Sequence, residues 1–569
     1  MQSNNSSTAA VANMLTSKNW FRFATLVLTA IVTALVLMVS EPIRATKGDP
    51  RATLLVSEAV IHHGTVRLDS YPADALARYG SAIQSKNGHS YYYFPLGTSL
   101  LSVPAVAMAN LIGWQMLDHE APVQIAIVLI VTLLQLWLLY RIARLFVSAW
   151  TALALAALCV LGTTLMSTNA TALWSHDFAV LFASVALLLA LRTMRGQVPL
   201  AAFWLGTSLF LAYLCRPTMA LLAPFVLLML ALDKERRIAA LKTAIWLGAW
   251  LALFVAWSWI EFSQWLPDYY LPSRLDGGDF QIAAWSNLFS PSRGLFVYSP
   301  FLAVALVFAA LHWRRSRNEW AILLVALAWP ICHWLSISQF PHWWAGWSFG
   351  PRLMTDALPG LFVLLFQTVA LTAPSARRVL VALLLVTGVF SIYVHSYQGL
   401  FNPYSMAWSA TPNVDENPEL IHDWAFPQFL HNETRHAERL ALFDRTLVLS
   451  ADSTDARFTG FSEPEAGLRW MTAGNADVQF PLGDTSQLEP RLLLGLDAPE
   501  RQEVQVKVNG ETVHNGTVLG HHALLKLTVD PSRLLTGNNR IELVLNGNAD
   551  PASPRRLALR YVGIVLKPQ

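Results

Sequence analysis

The sequence predicts an α-helical polytopic membrane protein of about eleven transmembrane helices plus interfacial helices, followed by a C-terminal β-sandwich domain. Three observations predict it. Several apolar runs reach the roughly 18 residues that read as a membrane span. The short loops between the runs alternate between basic and uncharged. Beyond Leu447 the apolar period changes from helical to two.

Composition agrees. Of 569 residues, 54% are hydrophobic and 14% charged, too apolar for a soluble protein of this length. A formal charge of +3 with no basic stripe argues against nucleic acid as a partner. Cys159, Cys215 and Cys332 lie inside apolar runs and are expected as free thiols. Many of the 22 tryptophans lie near run ends, where an interfacial belt puts them.

The elements follow in order. A polar tail over 1–21 is expected in the cytoplasm. The run Phe23–Val39 continues into Glu41 without a small-residue cleavage site, so it reads as a retained anchor. The membrane domain is expected over 22–395. Its runs continue as Val123–Tyr140, Phe146–Thr163, Phe178–Leu191, Leu200–Cys215, Thr218–Leu232, Ala240–Ile260, Tyr298–His312, Trp320–Leu335, Leu353–Leu371 and Leu380–Val394. Arg141/Arg144, Arg192/Arg195, Lys234–Lys242, Arg314–Arg317 and Arg377/Arg378 mark the cytoplasmic side by the positive-inside rule.

That rule sets a parity. The segment after the first helix is outside and Arg141 is inside, so an odd number of crossings separates them. Phe94–Gly113, which carries Pro95, Gly97, Pro104 and Asn110, is therefore expected as an interfacial helix, after a first outer loop over 41–93. That loop carries six basic and five acidic residues and is long enough to be translocated regardless of charge. The last third of the chain is then outside: an aromatic membrane-proximal linker over 396–446 and the sandwich over 447–569. There "QVKVNGETV" places Asn509-Gly510 as a hairpin turn. The strand order resembles jelly-roll modules that often bind carbohydrate; a spacer domain fits equally.

Polar residues collect on the outer face. The first loop supplies Asp49, Glu58, Asp69, Tyr92 and Tyr93. Later loops supply Trp174-Ser-His176-Asp177, the tight turn at Arg216, Arg293, and "PHWWAGWSFGPR" with Trp343, Trp344, Trp347 and Arg352. Each has a plain alternative: a solvated carboxylate, a helix cap at His176-Asp177, an aromatic belt, or structural pairing of Arg293 and Arg352 with Asp276, Asp279 or Asp356. Arg216 is harder to dismiss, because an ionisable group between apolar runs usually faces a cavity or partner. Adjacent His62 and His63 diverge and do not suit a metal. Together the residues fit one task. Arginines bind phosphate, aromatic faces stack on sugars, and a carboxylate takes a proton from an attacking hydroxyl. The cytoplasmic loops hold no phosphate-binding glycine motif, so a sugar donor would arrive on a lipid.

The stretches Gly48-Asp49, "YYYFPLG", "WSHDFAVL", "RPT", "PSRGLFVYSP" and "WSFGPR" resemble the GT-C glycosyltransferase superfamily, in the branch of protein O-mannosyltransferases and aminoarabinose transferases. The resemblance covers Phe23 to Val394. It implies a polyprenyl-phosphate-sugar donor, a glycan, lipid or protein acceptor, inverting displacement, and an early acidic residue as general base. Asp49 stands at that place, with Glu58 and Asp69 as alternatives because the family's acidic pair is absent. Arg293, Arg352 and Arg216 would hold the donor phosphate. Tyr92, Tyr93, His176, Asp177, Trp343, Trp344 and Trp347 would bind substrate. No cofactor is implied, and a divalent metal stays open. The expected place is a bacterial inner membrane with the C-terminal domain in the periplasm. The other readings are a transporter or assembly factor for envelope polysaccharide, or a lipid-linked glycan ligase or polymerase. A transporter would show repeated helix halves and mid-bilayer charges, and neither is evident.

Overall fold

In the computed structural model, the residues described are 3–44, 48–197, 202–275, 278–316, 319–410, 412–443, 447–465, 467–483, 488–546 and 556–568. The chain divides into a helical unit, Met1–Asn432, and a β unit, Glu433–Gln569.

As far as the residues are described, each of the eleven apolar runs lies mainly on helix. Among the described residues six helices are long and apolar enough to cross a membrane: Lys18–Leu37, Met116–Ala143, Ser175–Met194, Lys234–Phe262, Arg352–Leu371 and Pro374–Phe401. A seventh span results if Ala149–Leu161 and Thr164–Thr171, bent by 48°, act as one. The others are shorter. Ala202–Cys215 has 14 residues, about 21 Å at about 1.5 Å per residue, against about 30 Å of hydrocarbon. It stops at Arg216 because Pro217 disfavours helical backbone in the residue before it; Arg216 is extended, with φ −146° and ψ 117°.

The loop over 41–93 is more ordered than a loop reading implies. Gly48–Arg51 is a turn closed by Arg51 N donating to Gly48 O at 3.1 Å, with Gly48 at φ 100°. A helix follows over Thr53–His63. Its first turn is capped by a carboxylate from elsewhere: Glu120 accepts from the Ala52 and Leu54 N–H groups at 3.3 and 3.1 Å, where the helix dipole favours negative charge. Two short strands, Ile83–Lys86 and His89–Tyr92, form a hairpin that the sequence reading placed in the loop without structure.

The segment expected as an interfacial helix is a helix over Leu96–Leu111. At Gly97 a Cβ would lie 2.6 Å from the Leu214 and Cys215 backbone, so only glycine lets this helix start against the end of Ala202–Cys215. Ser57 Oγ ties the neighbouring helix to it by donating to Ser99 O at 2.6 Å.

The segment from Ser396 to Asn432, read as linker, belongs to the helical unit. Trp408 is fully buried there and packs with Ala283, Trp343, Val414 and Ile421.

The β unit is one connected eight-stranded antiparallel sheet. Its centre is the long strand Leu488–Val508, paired along one edge with Glu511–Thr528. On the other edge its first half pairs with Ala558–Pro568 and its second half with Gly537–Asn546. Register shifts between Leu496 and Gln502 separate the halves. Alternation fills the core: Leu492, Leu494 and Leu496, then Val504, Val506 and Val508, are buried. Asn509 (φ 50°) and Gly510 (φ 92°) form the expected tight turn.

Candidate active site

The Gly48–Arg51 turn presents Asp49, which is 4% exposed. Its main chain is fixed first. The Asp49 carbonyl accepts from Thr53 Oγ1 at 2.6 Å and from the Tyr92 hydroxyl. Gln124 donates through Nε2 to Pro50 O at 2.6 Å and accepts from Leu173 N at 3.2 Å. One amide therefore ties the Asp49 turn to the segment that carries Ser175.

The Asp49 side chain faces a charge cluster. Its Oδ2 accepts from Ser175 Oγ at 2.5 Å and lies 3.6 Å from Arg216 Nη1. Arg216 Nη1 also donates to Ser175 Oγ at 3.1 Å, and its Nε donates to Asp356 Oδ2 at 3.2 Å. Asp356 is completely buried. It accepts further from Thr218 Oγ1 and from His176 Nδ1, each at 2.6 Å. A carboxylate only accepts, so His176 carries its proton on Nδ1; its Nε2 is buried without a partner among the described residues. Asp49 Oδ1 accepts no hydrogen bond from the described residues.

Electrostatics decide the charge of Asp49. Burial alone would favour the neutral acid. The Arg352 and Arg216 charges, with the Ser175 hydrogen bond, outweigh it and hold the carboxyl below its ordinary value. Burial likewise works against the Arg216 cation, and Asp356 and Asp49 raise it above its usual value instead. Burial pushes the Tyr92 phenol well above its normal range, and the Asp49 charge adds to this.

Arg352 stands apart in bonding. Its guanidinium lies 4.6 Å over the Trp174 ring and makes no hydrogen bond to any described residue; its Nε is buried and unpaired. Arg293 is the opposite case. Nε donates to Trp344 O at 2.7 Å. Nη1 donates to Ser292 O and Gln428 Oε1 at 2.7 and 2.6 Å, and Nη2 to Gly346 O at 3.0 Å. Burial pushes its pKa down to about 10. Gln428 Oε1 also accepts from Gly350 N at 3.1 Å. Arg293 and Gln428 thus brace the loop that leads to Arg352.

The structure therefore brings together Asp49, His176, Arg216 and Arg352, with Tyr92 behind the turn. Asp177 is buried next to His176, with one carboxyl oxygen unpartnered among the described residues. Tyr93 lies along the wall, 5.3 Å from Phe94 and 5.5 Å from Tyr269 between ring centroids. The tryptophans stand elsewhere. Trp343 is buried against Trp408. Trp344 and Trp347 donate to Asp415 Oδ1 and Asn413 Oδ1 at 2.8 and 2.9 Å, so all three pin the 342–350 loop onto the 404–428 segment.

The alternative acids have their own work. Glu58 accepts from Asn110, Met116 N and Tyr71 at 2.8, 3.0 and 2.8 Å. Asp69 holds Ser90 N and His89 at 2.7 and 2.6 Å. Asp279 caps the Phe280–Phe289 helix through Ile282 N at 3.2 Å, and Asp276 lies outside the described residues. Among the described residues no three His, Cys, Asp or Glu side chains form a metal-ligand group.

Sequence reasoning missed Ser175 and Gln124 as site residues and gave Asp356 only a structural pairing. A carboxylate or amide inside an apolar run was the available signal.

No family model and no curated protein matches the chain. Among solved structures it is similar to two membrane glycosyltransferases. One is ArnT from Cupriavidus metallidurans bound to undecaprenyl phosphate. It is 14% identical over 74% of this chain and 79% of that one, with a TM-score of 0.41. The other is the arabinosyltransferase EmbB from Mycobacterium smegmatis, 12% identical over 95% of this chain and 64% of that one, with a TM-score of 0.34. A family 35 carbohydrate-binding module from Clostridium thermocellum matches 21% of this chain over 96% of its own length. It is 13% identical, with a TM-score of 0.17. All three are distant likenesses.

Proposed function

We propose that the chain is a GT-C-type membrane glycosyltransferase. It moves a sugar from a polyprenyl-phosphate donor to a hydroxyl of an envelope glycan, lipid or protein on the outer face of the inner membrane. One observation carries this reading: a buried, ionised carboxylate with a free oxygen shares its cluster with a cation whose guanidinium makes no hydrogen bond or close ion pair to a described residue. Asp49 is the first and Arg352 the second.

The chemistry follows from these two groups. Asp49 Oδ1 takes the proton of the acceptor hydroxyl as its oxygen attacks the anomeric carbon. The bond from that carbon to the phosphate oxygen breaks, inverting the centre and releasing polyprenyl phosphate. Arg352 takes up the charge that grows on the leaving phosphate. Arg216 is engaged by Asp49, Ser175 and Asp356, and it keeps Asp49 ionised and aimed. Tyr92 and Gln124 position the turn. Arg293 positions the loop before Arg352.

The test is ligand stabilisation of the full chain in detergent. Undecaprenyl phosphate is expected to raise the apparent Tm of the wild type and to lose most of that effect in Arg352→Gln. A shift that is absent in the wild type, or unchanged in the variant, contradicts the reading.

A further inference from the structure

Another cation near the cluster makes no ion pair with a described residue. Arg274 is half-buried on the loop between the Arg237–Phe262 and Phe280–Phe289 helices. Its guanidinium sits 3.7 Å over the Tyr269 ring, 5.4 Å from Phe340 and 5.8 Å from Tyr93. Its one hydrogen bond to a described residue runs from Nη1 to Tyr269 O, at 3.3 Å. Neighbouring cations on this wall are paired: Lys86 with Asp268 at 2.7 Å, and Arg67 with Glu261 at 2.6 Å.

The rings under Arg274 lead back to the proposed base. Phe94 stands 5.3 Å from Tyr93 and 5.6 Å from Tyr269. Its Cζ is 3.9 Å from where a Cβ on Gly48 would be, one residue before Asp49. Tyr269 interacts electrostatically with both Arg216 and Arg352. Its place is set by its neighbours. Asp268 is held by Lys86 and Gln264, and the Tyr270 hydroxyl donates to Leu214 O at 2.5 Å. Tyr269 itself stays half-buried, and its hydroxyl makes no hydrogen bond to a described residue.

We infer that Tyr93, Tyr269 and Arg274 form a subsite for an acidic sugar, one bearing a carboxylate or phosphate, beside Asp49. Tyr93 and Tyr269 stay half-buried, so each keeps part of its ring surface for contact with a pyranose. The stacked guanidinium is pre-organised, and an anion on the sugar supplies a charge partner that none of the described residues provides. Calling that sugar the acceptor rests on the glycosyltransferase reading; the binding itself does not.

The experiment measures equilibrium binding to the full chain in detergent. The probes are a glucuronic acid oligosaccharide, its carboxyl-reduced neutral form, mannose 6-phosphate and mannose. Undecaprenyl phosphate stabilisation is recorded alongside. At least one acidic probe is expected to bind the wild type tenfold or more tighter than its neutral counterpart. Arg274→Gln should erase that preference, Arg274→Lys should keep part of it, and Tyr269→Leu should weaken acidic and neutral probes together. Stabilisation by undecaprenyl phosphate should be the same in Arg274→Gln and wild type. Equal binding of acidic and neutral probes, or none, overturns the subsite. So does an Arg274→Gln protein that keeps the preference, or one that loses undecaprenyl phosphate stabilisation, which would assign Arg274 to the donor. If no sugar transfer is ever found but the Arg274-dependent preference is, the proposed function falls and the subsite stands.

Discussion

Arg216 Nη1 stands 3.6 Å from Asp49 Oδ2, and its Nε edge meets Asp356 at 3.2 Å. One guanidinium thus compensates two buried carboxylates from distant parts of the chain. Arg216→Gln removes it, leaving Asp49 with the Arg352 charge alone and Asp356 without its guanidinium. The expected cost is about 3–5 kcal/mol, the range for breaking a buried pair from one side. Thermal unfolding should show a large fall in apparent Tm. Adding Asp356→Asn should cost less than the sum of the two single changes, with a coupling of about 1 kcal/mol or more.

The charge of Asp49 predicts a pH window. Its folded pKa lies below the ordinary 3.8, so the unfolded chain binds the proton more readily. Its stabilising contribution is then complete above the unfolded value and is lost as pH falls through the folded one. The Tm difference between wild type and Asp49→Asn should be constant from about pH 5 to 8 and shrink only below pH 3.8. The acid limb of any transfer activity should not begin above pH 5 on account of this group.

Gln124 makes a prediction about positioning. Gln124→Leu keeps the volume and deletes the bonds to Pro50 O and Leu173 N. The two orphaned backbone groups should cost about 1–3 kcal/mol each. Transfer should fall through kcat more than through KM, because the aim of Asp49 suffers and the binding surfaces remain. Equal stability of variant and wild type would show that the turn is held without Gln124.

Arg293 and Arg352 should separate. Arg293→Lys cannot reproduce a fork that meets Trp344 O, Ser292 O, Gln428 and Gly346 O. It should lower the apparent Tm clearly. Arg352→Gln loses no hydrogen bond to a described residue, only a charge that helps hold Asp49 ionised; it should lower the Tm less than Arg293→Lys does, while removing undecaprenyl phosphate stabilisation.

The helices were legible because apolar runs and Pro217 act locally, and the same holds for the Asn509-Gly510 turn. Asp49 and Arg216 could be singled out for a similar reason: a charge beside an apolar run carries its own signal. Their partners could not. Gln124 and Asp356 meet them only through packing of segments far apart in sequence, and a polar residue within a hydrophobic run does not say which neighbour it faces. The tryptophans show the converse. "WWAGW" reads as a sugar platform, but Trp343 is buried against Trp408, a contact supplied by a segment that reads as linker. Arg293 and Arg352 look alike in sequence; the carbonyls and the Gln428 amide around the first, and the bare Trp174 ring under the second, distinguish them.

The most direct measurement is single-turnover release of sugar from polyprenyl-phosphate donors by the full chain, wild type against Asp49→Asn, with donor binding followed by thermal shift. The account predicts that both proteins are stabilised by the same donor and that the variant transfers about 10²-fold more slowly or worse. An Asp49→Asn protein that binds donor and transfers sugar at near wild-type rate would contradict it.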